Sequence, residues 1–216
     1  MKLKWTLILA MLATLASSNA ANYIVSNVVT GSGSGDVLFE NGSSSNLLSG
    51  GIVAMGYFPA DYVISSDLGD IGLTISNFTS VASALAGSPS ASLEGSFAGY
   101  VEGPTVDGAA LTGANALIGR ALYVFVGNGP TLETSTEFAL KQIAVLAADE
   151  PLENDYLANP IGGATPIIGS FDTFTGDVLS NGGTVTYTTL KLEAIPEPST
   201  VLLGAIGALG LLRRRR

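Results

Sequence analysis

Between residues 21 and 195 the apolar positions come in short runs separated by Gly, Ser, Asn and Pro, the pattern of an all-β domain. The clearest strand is predicted over residues 183–193. There Val185, Tyr187 and Thr189 alternate with Thr186, Thr188 and Leu190, all residue types that favour strands. The run Leu122, Tyr123, Val124, Phe125, Val126 lacks polar alternation and predicts a central strand over 121–127, buried on both faces. Asn128, Gly129 and Pro130 then force a turn. Further strands are expected over 22–29, 36–40, 51–58, 92–101 and 137–147. A Gly/Ser turn at 31–35 divides the first two, and a polar loop at 41–45 precedes the third. Two stretches compete with this reading as short helices. One is capped by Ser65, Ser66 or Asp67 and runs through 68–75, weakened by Gly69 and Gly72. The other covers 77–85. Residues 149–166 read as a long acidic loop holding Pro151, Pro160 and Pro166. The pattern predicts a single β-sandwich, jelly-roll-like in general character, with its strand order left open.

Both ends depart from this pattern. Lys2 and Lys4 precede an apolar run over 5–16, and Ser18, Asn19 and Ala20 form a small-x-small site, as expected of a signal peptide cut after Ala20. At the other end Ile195, Pro196, Glu197, Pro198 and Ser199 are followed by an apolar run over 200–212 and by Arg213, Arg214, Arg215 and Arg216. The prolines stop a helix from running back into the domain. The apolar run can enter lipid as a helix, and four arginines hold the C-terminus on the cytoplasmic side. The run is short: 13 residues make roughly 20 Å of helix against a hydrocarbon core of ~30 Å, so the arginines must snorkel. The chain therefore divides into a signal peptide (1–20), a β-sandwich domain (21–194) and a membrane-directed tail (195–216).

This tripartite tail resembles the PEP-CTERM sorting signal of Gram-negative bacteria, on the residues just named. The resemblance implies processing by an exosortase, a membrane-embedded cysteine peptidase. It also implies a transient inner-membrane anchor, a final place at the cell surface or outside the cell, and a setting of biofilm and exopolysaccharide production. Within the domain, LLSGGIVAMGYF at 47–58, LIGRALYVFVGN at 117–128 and STEFALKQ at 135–142 loosely resemble exported proteins that share such a tail. That likeness implies one folded β domain and carries no activity.

Charge and composition narrow the chemistry. Residues 21–195 hold three basic side chains (Arg120, Lys141, Lys191) against 17 acidic ones, a net charge of −14. Such a surface repels nucleic acid. The chain has no cysteine and no histidine. Disulfides, Ser-His and Cys-His nucleophile pairs and ordinary zinc sites are thereby excluded. Gly31 to Gly35 lacks the lysine and helix of a phosphate loop. Paired carboxylates remain, with Glu94 and Glu102 or Glu133 and Glu137 as candidates for glycoside hydrolysis; their simpler reading is solvent-facing acids. Asp149, Glu150, Glu153, Asn154 and Asp155 offer oxygen ligands to calcium without the spacing of an EF-hand. No other cofactor is expected.

Tyr57, Phe58, Tyr62, Tyr100 and Tyr156 are the aromatic residues from which a sugar platform could be built, since Trp5 leaves with the signal peptide. Asn41 and Asn77 begin formal glycosylation sequons that an exported bacterial chain has no evident use for. The expectation is a non-enzymatic surface or matrix protein, with an exopolysaccharide-binding module as alternative and a two-carboxylate hydrolase behind it.

Overall fold

The computed structural model describes residues 22–24, 26–27, 37–64, 69–90, 95–103, 106–107, 120–145, 156–157, 165–179 and 182–195. It is an all-β sandwich. The larger sheet has five strands: β3 (Ile52–Tyr57), β4 (Thr79–Leu85), β8 (Ala121–Gly127), β9 (Glu137–Val145) and β13 (Glu193–Ala194), in the order β13-β9-β8-β3-β4. Every neighbouring pair in it is antiparallel. The smaller sheet consists of β2 (Val37–Glu40), β11 (Ser170–Gly176) and β12 (Val185–Lys191) in the order β11-β12-β2. There β11 and β12 form an antiparallel hairpin and β2 joins β12 in parallel. Short pairings complete the strands: β1 (Asn22–Ile24) between β7 (Val106–Asp107) and β10 (Tyr156–Leu157), and β5 (Pro89–Ser90) with β6 (Gly95–Ser96).

The period-two pattern of β8 explains why it lies at the centre. Leu122, Val124 and Val126 point to one face of the large sheet, where they meet Val53 and Met55 of β3 and, from the small sheet, Val37, Phe39 and Leu190. Phe125 points to the other face, with Phe138 and Leu140 of β9. That second face is covered by Phe58, Ile64, Ile168 and Ile71 of a short helix, α1 (Ile71–Asn77). Its rings interlock: Phe58 packs edge-on to Tyr123, Phe78 edge-on to Phe125, and Phe125 lies 6.0 Å from Phe138. A third, smaller cluster of Leu38, Tyr100 and Tyr187 covers the outer face of the small sheet. Each such large side chain taken from water contributes about 2 kcal/mol, so the sandwich holds without disulfides.

Several expectations shift in their details. The strand expected over 92–101 is interrupted. Gly99 adopts φ +81°, and residues 97–101 turn across the domain so that Tyr100 can enter the core. The described helix is capped by Asp70, whose Oδ1 accepts from the Leu73 amide at 3.0 Å; the cap expected at residues 65–67 lies outside the described residues. The second, over 77–85, is not a helix. Its Thr, Ser, Val and Ala residues form β4, because pairing with β3 supplies partners that no isolated helix there would have. The strand β11 was not anticipated.

One side chain joins segments far apart in sequence. Asn27 is fully buried; its Nδ2 donates to the carbonyls of Val37 and Gly99, each at 2.8 Å, and its Oδ1 accepts from the Val101 amide at 2.8 Å. Asn27→Ala strands these three backbone groups in the interior. The expected loss is about 3 kcal/mol, read as a lowered urea midpoint with an unchanged slope.

Candidate functional site at the C-terminal exit

The chain leaves the folded domain at a corner. β12 ends at Lys191; Leu192 is buried between the sheets and its amide donates to the Glu40 carbonyl at 2.9 Å. The next two residues, Glu193 and Ala194, pair with Phe138 and Glu137 of β9, so the backbone crosses from the small sheet to the large one within one residue. Ile195 is half-buried against the Phe138 cluster.

Glu137 reinforces this corner. Its buried carboxylate accepts from the Gly42 amide at 2.9 Å and the Ser43 amide at 3.1 Å, one oxygen for each donor. The loop after β2 is thereby fastened to the strand that holds β13. Gly42 is required by close approach: a Cβ there would collide with the Leu192 carbonyl oxygen.

A polar cluster flanks the corner on the outer face of the small sheet. Glu40 is buried; one carboxylate oxygen accepts from Thr189 Oγ1 at 2.6 Å and the other pairs with Lys191 Nζ at 3.2 Å. The same ammonium reaches Asp172 Oδ2 at 3.2 Å and Ser45 Oγ at 3.0 Å. The Thr173 amide and then Lys191 hold the Asp172 carboxyl below the usual carboxylate range. Hydrogen bonds to Glu40 and Asp172 push the Lys191 ammonium above the usual lysine range. Lys141 differs: it is buried in β9 with Nζ 6.0 Å from the Phe171 ring centre, and burial lowers its pKa.

The residues nominated by sequence separate into three groups. Pro196, Glu197, Pro198, Ser199, Arg213, Arg214, Arg215, Arg216 and Ala20 lie outside the described residues, as do Glu94 and the calcium candidates Asp149, Glu150, Glu153 and Asp155. Among the described residues no group of three or more acids could hold a metal ion, and no helix is long and apolar enough to cross a membrane.

The second group is the aromatic set. Tyr57, Phe58 and Tyr100 are core residues, with Arg120 4.4 Å above the Tyr57 ring. Tyr62 stacks on Phe58 at 5.1 Å, and its hydroxyl lies 3.3 Å from Thr74 Oγ1. Tyr156 belongs to β10. The rings of Tyr57, Phe58, Tyr62 and Tyr100 pack into the interior and do not form an exposed platform. Among the described residues the exposed aromatic side chain is Phe171, which the sequence reading passed over.

The third group is the remaining acids and amides. Glu133 is exposed in the β8–β9 loop, whereas Glu137 is buried with both oxygens engaged, and Glu102 lies half-buried in a bridge to Ser26. Asn41 and Asn77 donate their amides to the Asn46 and Leu73 carbonyls.

Residues 194–216 match the PEP-CTERM protein-sorting motif. The chain is thus an exported protein whose tail is addressed to an exosortase, with a transient membrane anchor at its C-terminus. No curated protein and no solved structure matches it.

The Asp172–Lys191 contact gives a pH dependence of definite sign. A depressed carboxyl stabilises the fold above its unfolded pKa, about 3.9, and the contribution fades as pH falls through the folded value. A raised ammonium stabilises fully below about 10.4, and its contribution is lost as pH climbs through the folded value. Asp172→Asn should flatten the acid side of the thermal midpoint against pH while leaving the plateau near pH 7 little changed, since the pair is solvent-exposed.

Proposed function

We propose that the β domain is a non-enzymatic protein of the cell surface or extracellular matrix, delivered there when an exosortase cuts its sorting tail. The observation that carries this reading is the position of the sorting match. It begins at the last strand of the sandwich, so the folded unit is what remains once the tail is removed. Supporting it, the nominated acid Glu137 anchors a loop, Glu40 anchors Thr189 and Lys191, and Tyr57 and Tyr100 build the core. The negative surface suits a domain that lives in water beyond the membrane and keeps away from nucleic acid.

The test is Glu197→Ala in the full chain. Uncut precursor should accumulate in the membrane fraction, with the circular dichroism of the domain unchanged. Normal processing of this variant overturns a motif-reading peptidase.

One observation favours a second reading, exopolysaccharide binding. Phe171 is 44% exposed on the same face of the β11–β12 hairpin as Thr173, Thr175, Thr186 and Thr188. Thr175 and Thr186 lie 3.0 Å apart through their hydroxyls. An aromatic ring beside a row of hydroxyls offers the stacking and hydrogen bonding that a sugar chain takes. If this face binds matrix polysaccharide, Phe171→Ala should reduce co-sedimentation roughly tenfold, the worth of one lost ring contact. Equal retention of both proteins removes this reading.

A further inference from the structure

The sorting match begins at Ala194, and Ala194 is a paired residue of the large sheet. The segment addressed to the peptidase and the folded domain therefore overlap at Ala194 and Ile195. Resting on the sorting reading above, we infer that β13 is a strap which must detach from β9 before the tail can be cut, with Leu192 as the fixed point beyond which the chain does not peel.

Peptidases take their substrates extended, with backbone donors and acceptors open to pairing with the enzyme. Glu193 and Ala194 spend those groups on Phe138 and Glu137. A charged, folded domain cannot follow the motif into lipid, since its backbone and acids would lose water there. While β13 stays on the sheet, Ile195 alone separates the paired strand from the motif in sequence. Releasing the three residues 193–195 adds about 10 Å of extended chain.

The structure grades the two sides of this junction differently. β13 is an edge strand of two residues, both exposed, and among the described residues half-buried Ile195 continues its hold. Its partner β9 pairs with β8 along seven residue pairs and stays in place when β13 leaves. Leu192 is buried and bonded to Glu40, and its carbonyl lies against Gly42, which Glu137 fastens to β9. Opening should therefore run back to Leu192 and stop, as a local event that leaves both sheets closed.

The test uses the full-length precursor in a host with an active exosortase, with conversion to the processed form followed by pulse-chase. One variant inserts six Gly/Ser residues between Ile195 and Pro196, which frees the motif without touching the sheet. The other, Glu193→Gly, weakens β13 at unchanged chain length, three positions before Pro196. Each should speed processing about tenfold, the effect of one net hydrogen bond no longer to be broken. The double variant should be no faster than the insertion alone, because release no longer limits it. Amides of residues 193 and 194 in the purified precursor should also exchange with deuterium well before those of β8.

An insertion that changes nothing overturns the strap. So does a fast insertion variant paired with a Glu193→Gly that is neutral or slow, which would mean mere crowding at the membrane. Exchange at 193 and 194 as slow as in β8 has the same consequence. If neither the wild-type chain nor the insertion variant is ever cut, the sorting reading itself has failed, and the strap fails with it.

Discussion

The structure depends on the bend at Leu192. A sandwich of two sheets needs at least one place where covalent chain, rather than packing alone, fixes how one sheet sits over the other. Here the same short segment donates to Glu40 in the small sheet and, one residue later, pairs with Phe138 in the large one. Apolar contact between Leu190 and the Val53–Met55 face supplies cohesion but little direction. The hydrogen bonds on either side of the bend set the register. Gly42 can lie flat against the Leu192 carbonyl only because it has no side chain, and Glu137 keeps the Gly42 loop from moving away.

A chain with so few cations uses them in specific ways. Lys191 holds two acids and a serine together at the open side of the small sheet, where neither acid would gain much from a solvated partner elsewhere. Arg120 lies over Tyr57, and Lys141 is taken into the sheet beside Phe171. All three basic residues of the domain are thus committed to intramolecular contacts. The acids that remain at the surface therefore face water and mobile counter-ions, which keeps such domains apart from one another in dilute salt.

The parts of the fold that the sequence made legible are those where side-chain type and period agree. Leu122 to Val126 could only be a central strand, and Val185 to Leu190 only a half-buried one; both are where the pattern put them. β4 was obscured because Ala, Ser and Leu are compatible with a helix when neighbours are ignored, and the neighbour that decides the matter is β3. β11 was obscured because its exposed residues make no core pattern, and its pairing with β12 is what defines it. At the exit, the Pro-Glu-Pro tail was legible because local chemistry carries it, whereas the role of Glu137 was not. A carboxylate that serves two amides 94 and 95 residues away leaves no trace in its own stretch of chain. The tyrosines misled for a related reason: an aromatic residue reads the same in sequence whether it faces solvent or interior.

The parallel pairing of β2 with β12 has a consequence for the order of events in export. Glu40 and Thr189 meet across 149 residues of chain, and Leu38 has no sheet partner until Thr189 arrives. Contacts of such long separation form late, because loop closure must precede any gain from them. However the chain is exported, the small sheet cannot be completed until β12 stands beside β2, so a strand near the end of the domain is the one that closes the sandwich.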